Sequence, residues 1–200
     1  MQGAVRCLRE NGYARTTTRD IAAAANSNLG SIGYHFGSKE ALLNEAIREG
    51  FAEWTAQLAN IAFAEAGATP VERARASWVA LTEGFEEHRP LIIAFVEALA
   101  QSARSDELRA QFADIYEDAR IAVGRLVEAS LGDAGVGDEQ CRAVASFMIA
   151  VCDGLLLQWL VDPERAPSGE ELTAALDAAL PAAFATKAIV RPRTLSRSSG

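Results

Sequence analysis

The chain has 200 residues, half of them apolar, and a formal net charge of −8 at pH 7. That is enough apolar mass for one large or two small packed domains, and it excludes a disordered chain. Three cysteines, at positions 7, 141 and 152, exclude a disulfide framework and suit a reducing, cytoplasmic compartment. A charged-then-apolar leader is not seen at Met1, and Glu97 and Asp153 interrupt the two longest apolar runs, so no membrane partner is expected.

An acidic chain argues at first sight against a polyanionic partner, but the charge is unevenly placed. It is +1 over residues 1–50, −13 over 51–186 and +4 over the last fourteen. Apolar residues recur at helical spacing nearly everywhere, and no stretch alternates with period two, so the expected fold is all-α with about nine helices. The expected division is a helix-turn-helix head over 1–45, a helical body over 46–188 and a basic tail over 189–200 with nothing to bury.

In chain order, the first helix is expected from Gln2 to Asn11, stopped by Gly12. Thr17 is a natural N-cap for a second helix over Thr18 to Ala25, with Asp20 placed to reach back as in a capping box. Asn26 suits a turn that needs positive φ, and Asn28 can cap a third helix over Leu29 to Tyr34. Two short helices joined by so tight a turn form the unit that inserts its second helix into the DNA major groove. Farther on, apolar stripes run through Leu43 to Ile61, Val71 to His88, Leu108 to Leu126, Val144 to Trp159 and Leu172 to Phe184. Breaks are expected at Gly67 to Pro70, at Arg89-Pro90, at Leu131 to Gly137 and at Asp162 to Gly169.

The run Gly12-Tyr13-x-x-Thr16-Thr17-x-x-x-Ile21-Ala22, followed by Gly30-Ser31-Ile32-Gly33-Tyr34-His35-Phe36-Gly37-Ser38-Lys39-Glu40-Ala41-Leu42-Leu43, resembles the tetracycline-repressor (TetR) family of transcriptional regulators. The resemblance implies a homodimeric, ligand-responsive repressor that binds an operator in double-stranded DNA and responds to a small, largely apolar effector. No cofactor, metal or catalytic residue is expected.

Within the motif, Leu29, Gly30 and Ser31 open the recognition helix, the end that reaches base edges. Gly30 lets the backbone approach, Leu29 can meet a thymine methyl and the Ser31 hydroxyl can donate or accept. Thr17, Thr18 and Arg19 carry hydroxyls, amides and a guanidinium suited to phosphate, at a helix start that itself attracts anions. By resemblance Arg19 can instead reach a base, and Tyr34, His35 and Lys39 match positions that grip the backbone. Asn28 and Gly33 complete the expected DNA-facing set. Leu8, Tyr13, Ile21, Ile32 and Phe36 are expected to be the small core of the head. For Arg6, Arg9 and Arg48 a solvated helix face is expected.

Three departures from the family pattern stand out. Asn26-Ser27-Asn28 replaces the usual Gly-Val-Ser, so the apolar residue that pins the turn is missing. Gly33 stands where Tyr is common, removing one customary phosphate contact. The chain also begins only about ten residues before Gly12, without a basic arm.

For the body, the resemblance places a pocket among helices 4 to 8, and Trp78, Phe85, His88, Phe95, Phe112 and Tyr116 are nominated to line it. His88 or Tyr116 would supply the polar handle. The last two helices, about Asp138 to Leu160 and Glu170 to Thr186, would form a four-helix interface with their symmetry mates. Phe147, Val151, Gly154, Leu155, Gln158, Leu172, Leu176 and Leu180 are the candidate contacts, with Gly154 permitting close packing.

Enzymatic readings lack support in the residues. There is no Ser or Cys with a base at motif spacing and no HExxH or CxxC. Gly132-x-x-Gly135-x-Gly137 is flanked by acids that repel phosphate, and Asp114 and Asp118 sit opposite the apolar stripe. The rival to a DNA-binding regulator is a helical interaction or ligand-binding protein whose head has lost DNA affinity.

Overall fold

Local capping chemistry sets most of the helix starts. In the computed structural model, residues 1–132 and 136–185 are described, with side chains described throughout except at positions 29, 31–33 and 180–185. Among the described residues the chain forms nine helices and no strand. They are α1 (Gln2–Asn11), α2 (Thr18–Ala24), α3 (Leu29–Phe36), α4 (Lys39–Ala62), α5 (Pro70–Glu83), α6 (Arg89–Ser102), α7 (Asp106–Leu131), α8 (Asp138–Val161) and α9 (Gly169–Ala185). The basic tail over 189–200 lies outside the described residues, as do Asp133 and Gly135.

Gly12 ends α1 with φ 76°, a region that L side chains rarely adopt. Thr17 and Asp20 close the expected capping box: Thr17 N donates to Asp20 Oδ2 at 2.8 Å and Asp20 N to Thr17 Oγ1 at 3.2 Å. Asn26 turns the chain with φ 47°. The pattern recurs at α5, where Thr69 and Glu72 cap reciprocally, and at α9, where Ser168 and Glu171 do so. Ser38 caps α4 through Ala41 N, and Ser105 caps α7 through Leu108 N.

Two boundaries differ from expectation. Arg89 and Pro90 open α6 rather than separating helices, because proline's missing N–H is harmless in a first turn. The α6–α7 break at residues 103–105 contains neither Gly nor Pro; the Ser105 cap marks it instead.

α1 packs on α2, α4 and α6, α3 packs on α4, α7 pairs with α8, and α9 lies along α5. Two clusters of buried residues result. One joins Ala4, Leu8, Tyr13 and Ile21 of the head to Leu43 and Ile47 of α4, Phe95 of α6 and Phe112 of α7. The other gathers Trp54, Trp78, Phe85, Ile92, Leu156 and Trp159. The head therefore shares its core with α4, α6 and α7, and the expected division after residue 45 falls inside α4. Where α9 begins, a Cβ on Gly169 would meet the Trp78 carbonyl oxygen at 2.4 Å, so only glycine permits this approach to α5.

α8 corrects the expectation that a carboxylate breaks every long apolar run. By length and composition it is apolar enough to cross a membrane, with mean hydropathy 1.9 over its most apolar window, and only 22% of that window is buried. Asp153, counted on to interrupt the run, turns inward and accepts a hydrogen bond from the Tyr116 hydroxyl at 2.8 Å.

Candidate functional site

The head presents α2 and α3 at the surface. Tyr34 is 86% exposed and His35 is exposed beside it, their rings edge to face at 5.1 Å. Arg19 is exposed and Thr18 half-buried at the start of α2. Thr17 is exposed, but its hydroxyl donates to Asp20 Oδ2 and accepts from Asp20 N, so the cap already engages it. The hydroxyl and backbone N–H of Thr17 hold the Asp20 carboxyl below its usual range. Lys39 lies only 22% exposed, with Nζ 3.3 Å from Glu40 Oε1. Asn28 is exposed just before α3, and a Cβ on Gly30 would meet its Oδ1 at 3.3 Å. The backbone of Leu29, Ser31 and Gly33 runs in the first turns of α3; the side chains of Leu29, Ser31 and Ile32 lie outside the described residues.

The unusual turn is held by its backbone. Asn26 N donates to Ala23 O, and Ser27 N to Ala22 O at 2.9 Å, while the Ser27 side chain is exposed. The connection between α1 and α2 is tied separately by buried Thr16, whose Oγ1 donates to Gly12 O at 2.6 Å and lies 3.2 Å from Cys7 O. Leu8, Tyr13 and Ile21 are buried as expected for the small core, and Phe36 packs against it partly buried.

In the body, α4, α5, α6, α7 and α8 enclose an apolar cavity of about 380 Å³. Trp78, Phe95 and Tyr116 line it, as nominated; Phe85, His88 and Phe112 do not. Phe85 is 1% exposed between Trp54 and Trp159, with ring centroids 6.1 and 5.3 Å away. His88 stacks flat on Trp54 at 4.2 Å and its Nδ1 lies 2.9 Å from Gly84 O, so it serves the α5–α6 corner and is no handle for the cavity. Phe112 is buried in the cluster shared with the head. Helical spacing marked these aromatics as inward-facing without telling which of two interiors each enters.

The polar part of the wall is Arg73, Ser77, Tyr116, Cys152 and Asp153, with Thr55 and Ser130 at its margins. Burial, more than the hydrogen bond to Asp153, raises the Tyr116 phenol well above its ordinary value. Burial also raises the Asp153 carboxyl, and the Tyr116 hydroxyl opposes that shift. The Cys152 thiol, buried beside Asp153, is pushed up to about 12 and stays protonated at neutral pH.

Residues 1–46 match the family described as "Bacterial regulatory proteins, tetR family", and residues 70–185 match "BetI-type transcriptional repressor, C-terminal". The chain belongs to the TetR family. Across 86% of both chains it is 28% identical to the HTH-type transcriptional repressor DhaR of Mycobacterium sp. (strain GP1). A transcriptional regulator from Rhodococcus sp. RHA1, described as putative, superposes with a TM-score of 0.68 at 20% identity, over 90% of this chain and 91% of that one. The transcriptional regulator FadR from Bacillus subtilis, solved in complex with stearoyl-CoA, superposes with a TM-score of 0.59 at 18% identity, over 90% of this chain and 92% of that one.

In this TetR-family chain, head and cavity meet through residues that the sequence did not single out for a site. Glu97 of α6 accepts the backbone N–H groups of Tyr13 and Ala14 at 2.9 and 3.0 Å. Two residues earlier on the same helix, Phe95 forms cavity wall. Buried Asn44 of α4 accepts the Tyr13 hydroxyl at 3.0 Å and donates to Gln111 of α7 at 2.7 Å. Arg6, read as a solvated face, donates to Ala24 O at the end of α2. Arg48, read likewise, pairs with Glu45 and with Asp118 across to α7.

On the nominated dimer face, Phe147 is 52% exposed, Gln158 is exposed, and Val151 and Gly154 are half-buried; a Cβ on Gly154 would meet nothing within 4 Å. Leu155 is a correction: at 3% exposed it packs inside its own chain. Leu172 packs partly buried against that core, Leu176 is half-buried, and the Leu180 side chain lies outside the description.

Proposed function

We propose that the chain is a repressor that binds a palindromic operator as a homodimer, with residues 1–45 as the DNA-binding unit. A small, largely apolar effector held in the cavity of the helical body over 46–188 releases it. One observation carries this reading: Glu97 hydrogen-bonds the turn before α2 while Phe95, on the same helix, forms cavity wall. A ligand that moves α6 therefore moves the segment that positions the reading head.

Arg19, Thr18, Tyr34, His35 and Lys39 are the proposed phosphate-positioning groups, with Asn28 and Gly33 beside them. Leu29, Gly30 and Ser31 are the proposed base readers. Two such helices fit one operator only if their centres stand roughly 34–36 Å apart or a multiple of it. An effector that favours the wrong spacing competes with DNA through a coupling free energy typically of about 1–3 kcal/mol. The acidic body repels the duplex, which leaves contact to the heads. The repressor named DhaR supports the regulatory half of the reading, and the stearoyl-CoA complex of FadR supports an effector that carries an apolar chain. Such a protein works where the chromosome is, in the cytoplasm.

The test is fluorescence anisotropy of a duplex taken from upstream of its own coding sequence, at two salt concentrations. The reading requires a specific complex whose affinity falls steeply with salt. A protein with a degenerate head gives no such complex.

A further inference from the structure

We propose that the cavity takes an apolar molecule bearing one anionic headgroup, a carboxylate on a hydrocarbon body, and that Arg73 receives the headgroup. This rests on the reading of the cavity as the effector site and adds the chemical class of the effector.

Two charged residues stand in the described wall, Arg73 and Asp153. Their situations are opposite. Asp153 accepts the Tyr116 hydroxyl at 2.8 Å on Oδ2, and burial favours its neutral form, so it already has a partner inside the protein. Arg73 Nε is shielded from water and has no hydrogen-bond partner among the described residues. Glu72, its neighbour in the chain, closes the Thr69 cap, and Asp177 of α9 pairs with Arg75. What Arg73 does have is the Phe63 ring, whose centroid lies 4.6 Å from the guanidinium carbon in a cation–π contact beside the cavity.

A body carrying −13 thus leaves a cation without a described carboxylate partner at the wall of its apolar space. A buried N–H without an acceptor is a cost that a ligand oxygen removes. The planar fork of a guanidinium offers parallel N–H groups that match a carboxylate, and Nε is one side of that fork. An ammonium headgroup is offered less, since Asp153 already takes the Tyr116 hydroxyl on Oδ2 and its burial disfavours the charged form that would attract a cation.

The test is a titration of the full chain with decanoate, decan-1-ol and decylammonium, followed by tryptophan fluorescence, since Trp54 and Trp78 lie in the wall. Decanoate is expected to bind roughly tenfold or more tighter than decanol, with decylammonium weakest. Arg73→Met should level decanoate with decanol and leave decanol affinity unchanged; Arg73→Gln takes its place if circular dichroism shows the methionine variant unfolded. Equal binding of decanol and decanoate by the unaltered chain, survival of the preference without Arg73, or no response to either compound up to its solubility limit would overturn the proposal. Anisotropy of bound operator DNA in the same titration separates the two readings. A carboxylate preference without DNA release keeps the anion site and removes its effector role. Release by decanol and decanoate alike keeps the effector cavity and removes the role of Arg73.

Discussion

Glu97 Oε2 accepts the backbone N–H of Tyr13 at 2.9 Å, across 84 residues of chain. The same oxygen takes the N–H of Ala14, so a single carboxylate satisfies two consecutive donors that follow α1. Hydrogen bonds to a charged acceptor contribute about 1.5–3 kcal/mol each when not fully solvated. Because the site is only half-buried and water can take over part of both bonds, Glu97→Ala is expected to lower unfolding free energy in urea by about 1–3 kcal/mol. It should also weaken the effect of a cavity ligand on operator affinity while sparing ligand binding itself. Unchanged coupling in that variant would take α6 out of the path between the sites.

Tyr13→Phe isolates the second tie between head and body. Removing the hydroxyl leaves buried Asn44 Oδ1 without the donor it has at 3.0 Å, at an expected cost of about 1–2 kcal/mol. Asn44 keeps its bond to Gln111, so α4 and α7 should remain joined. Urea denaturation of the variant, with operator affinity measured alongside, checks this. A loss of less than about 0.5 kcal/mol would mean that water replaces the phenol at no cost.

How much of this was legible in the sequence depends on the range of the interaction that fixes it. Thr17 with Asp20, Gly12 and Asn26 act within a few residues, and the structure has each as its chemistry requires. The resemblance nominates Phe85, His88 and Phe112 for the cavity, whereas helical spacing shows only that such side chains face inward, without saying which neighbouring helix each meets. Glu97 interrupted an apolar run and nothing more, since its partners lie 84 and 83 residues away. Gly169 looked like loop punctuation; its reason is the backbone of Trp78, reached only after folding. Arg73 gave no local signal either, because a basic residue near a helix start reads as solvated unless the Phe63 ring and the cavity are seen beside it.

The outward face of α8 yields a prediction about assembly. Phe147, Leu157 and Val161 are 52, 45 and 86% exposed, an apolar surface on a helix with little of its most apolar stretch buried. Such a face is stable in water when covered, and the proposed cover is the same face of a second copy. Phe147→Glu places a charge in that contact and should shift sedimentation from dimer toward monomer. Operator affinity should fall with it, because a single head loses the linked second half-site. A variant that remains dimeric at low micromolar concentration would put the interface elsewhere.

The contact between α7 and α8 carries its own pH signature. Arg142 of α8 donates to both oxygens of Glu117 on α7, at 2.7 and 2.6 Å, and Arg120 adds a bond at 3.1 Å. The Arg142 hydrogen bonds, helped by Arg120, hold the Glu117 carboxyl at about 2 in the folded chain. An unfolded glutamate titrates near 4.3. Because the folded value is the lower one, the stabilisation is fully present above the unfolded value. It is lost as pH falls from about 4.5 toward 2. Both side chains face water, so the effect on total stability should be modest. Glu117→Gln should then differ from the parent in urea at pH 6 and converge with it by about pH 2. A difference that stays constant across that range would mean that the carboxylate is not what joins the two helices, and would leave their packing to the apolar face alone.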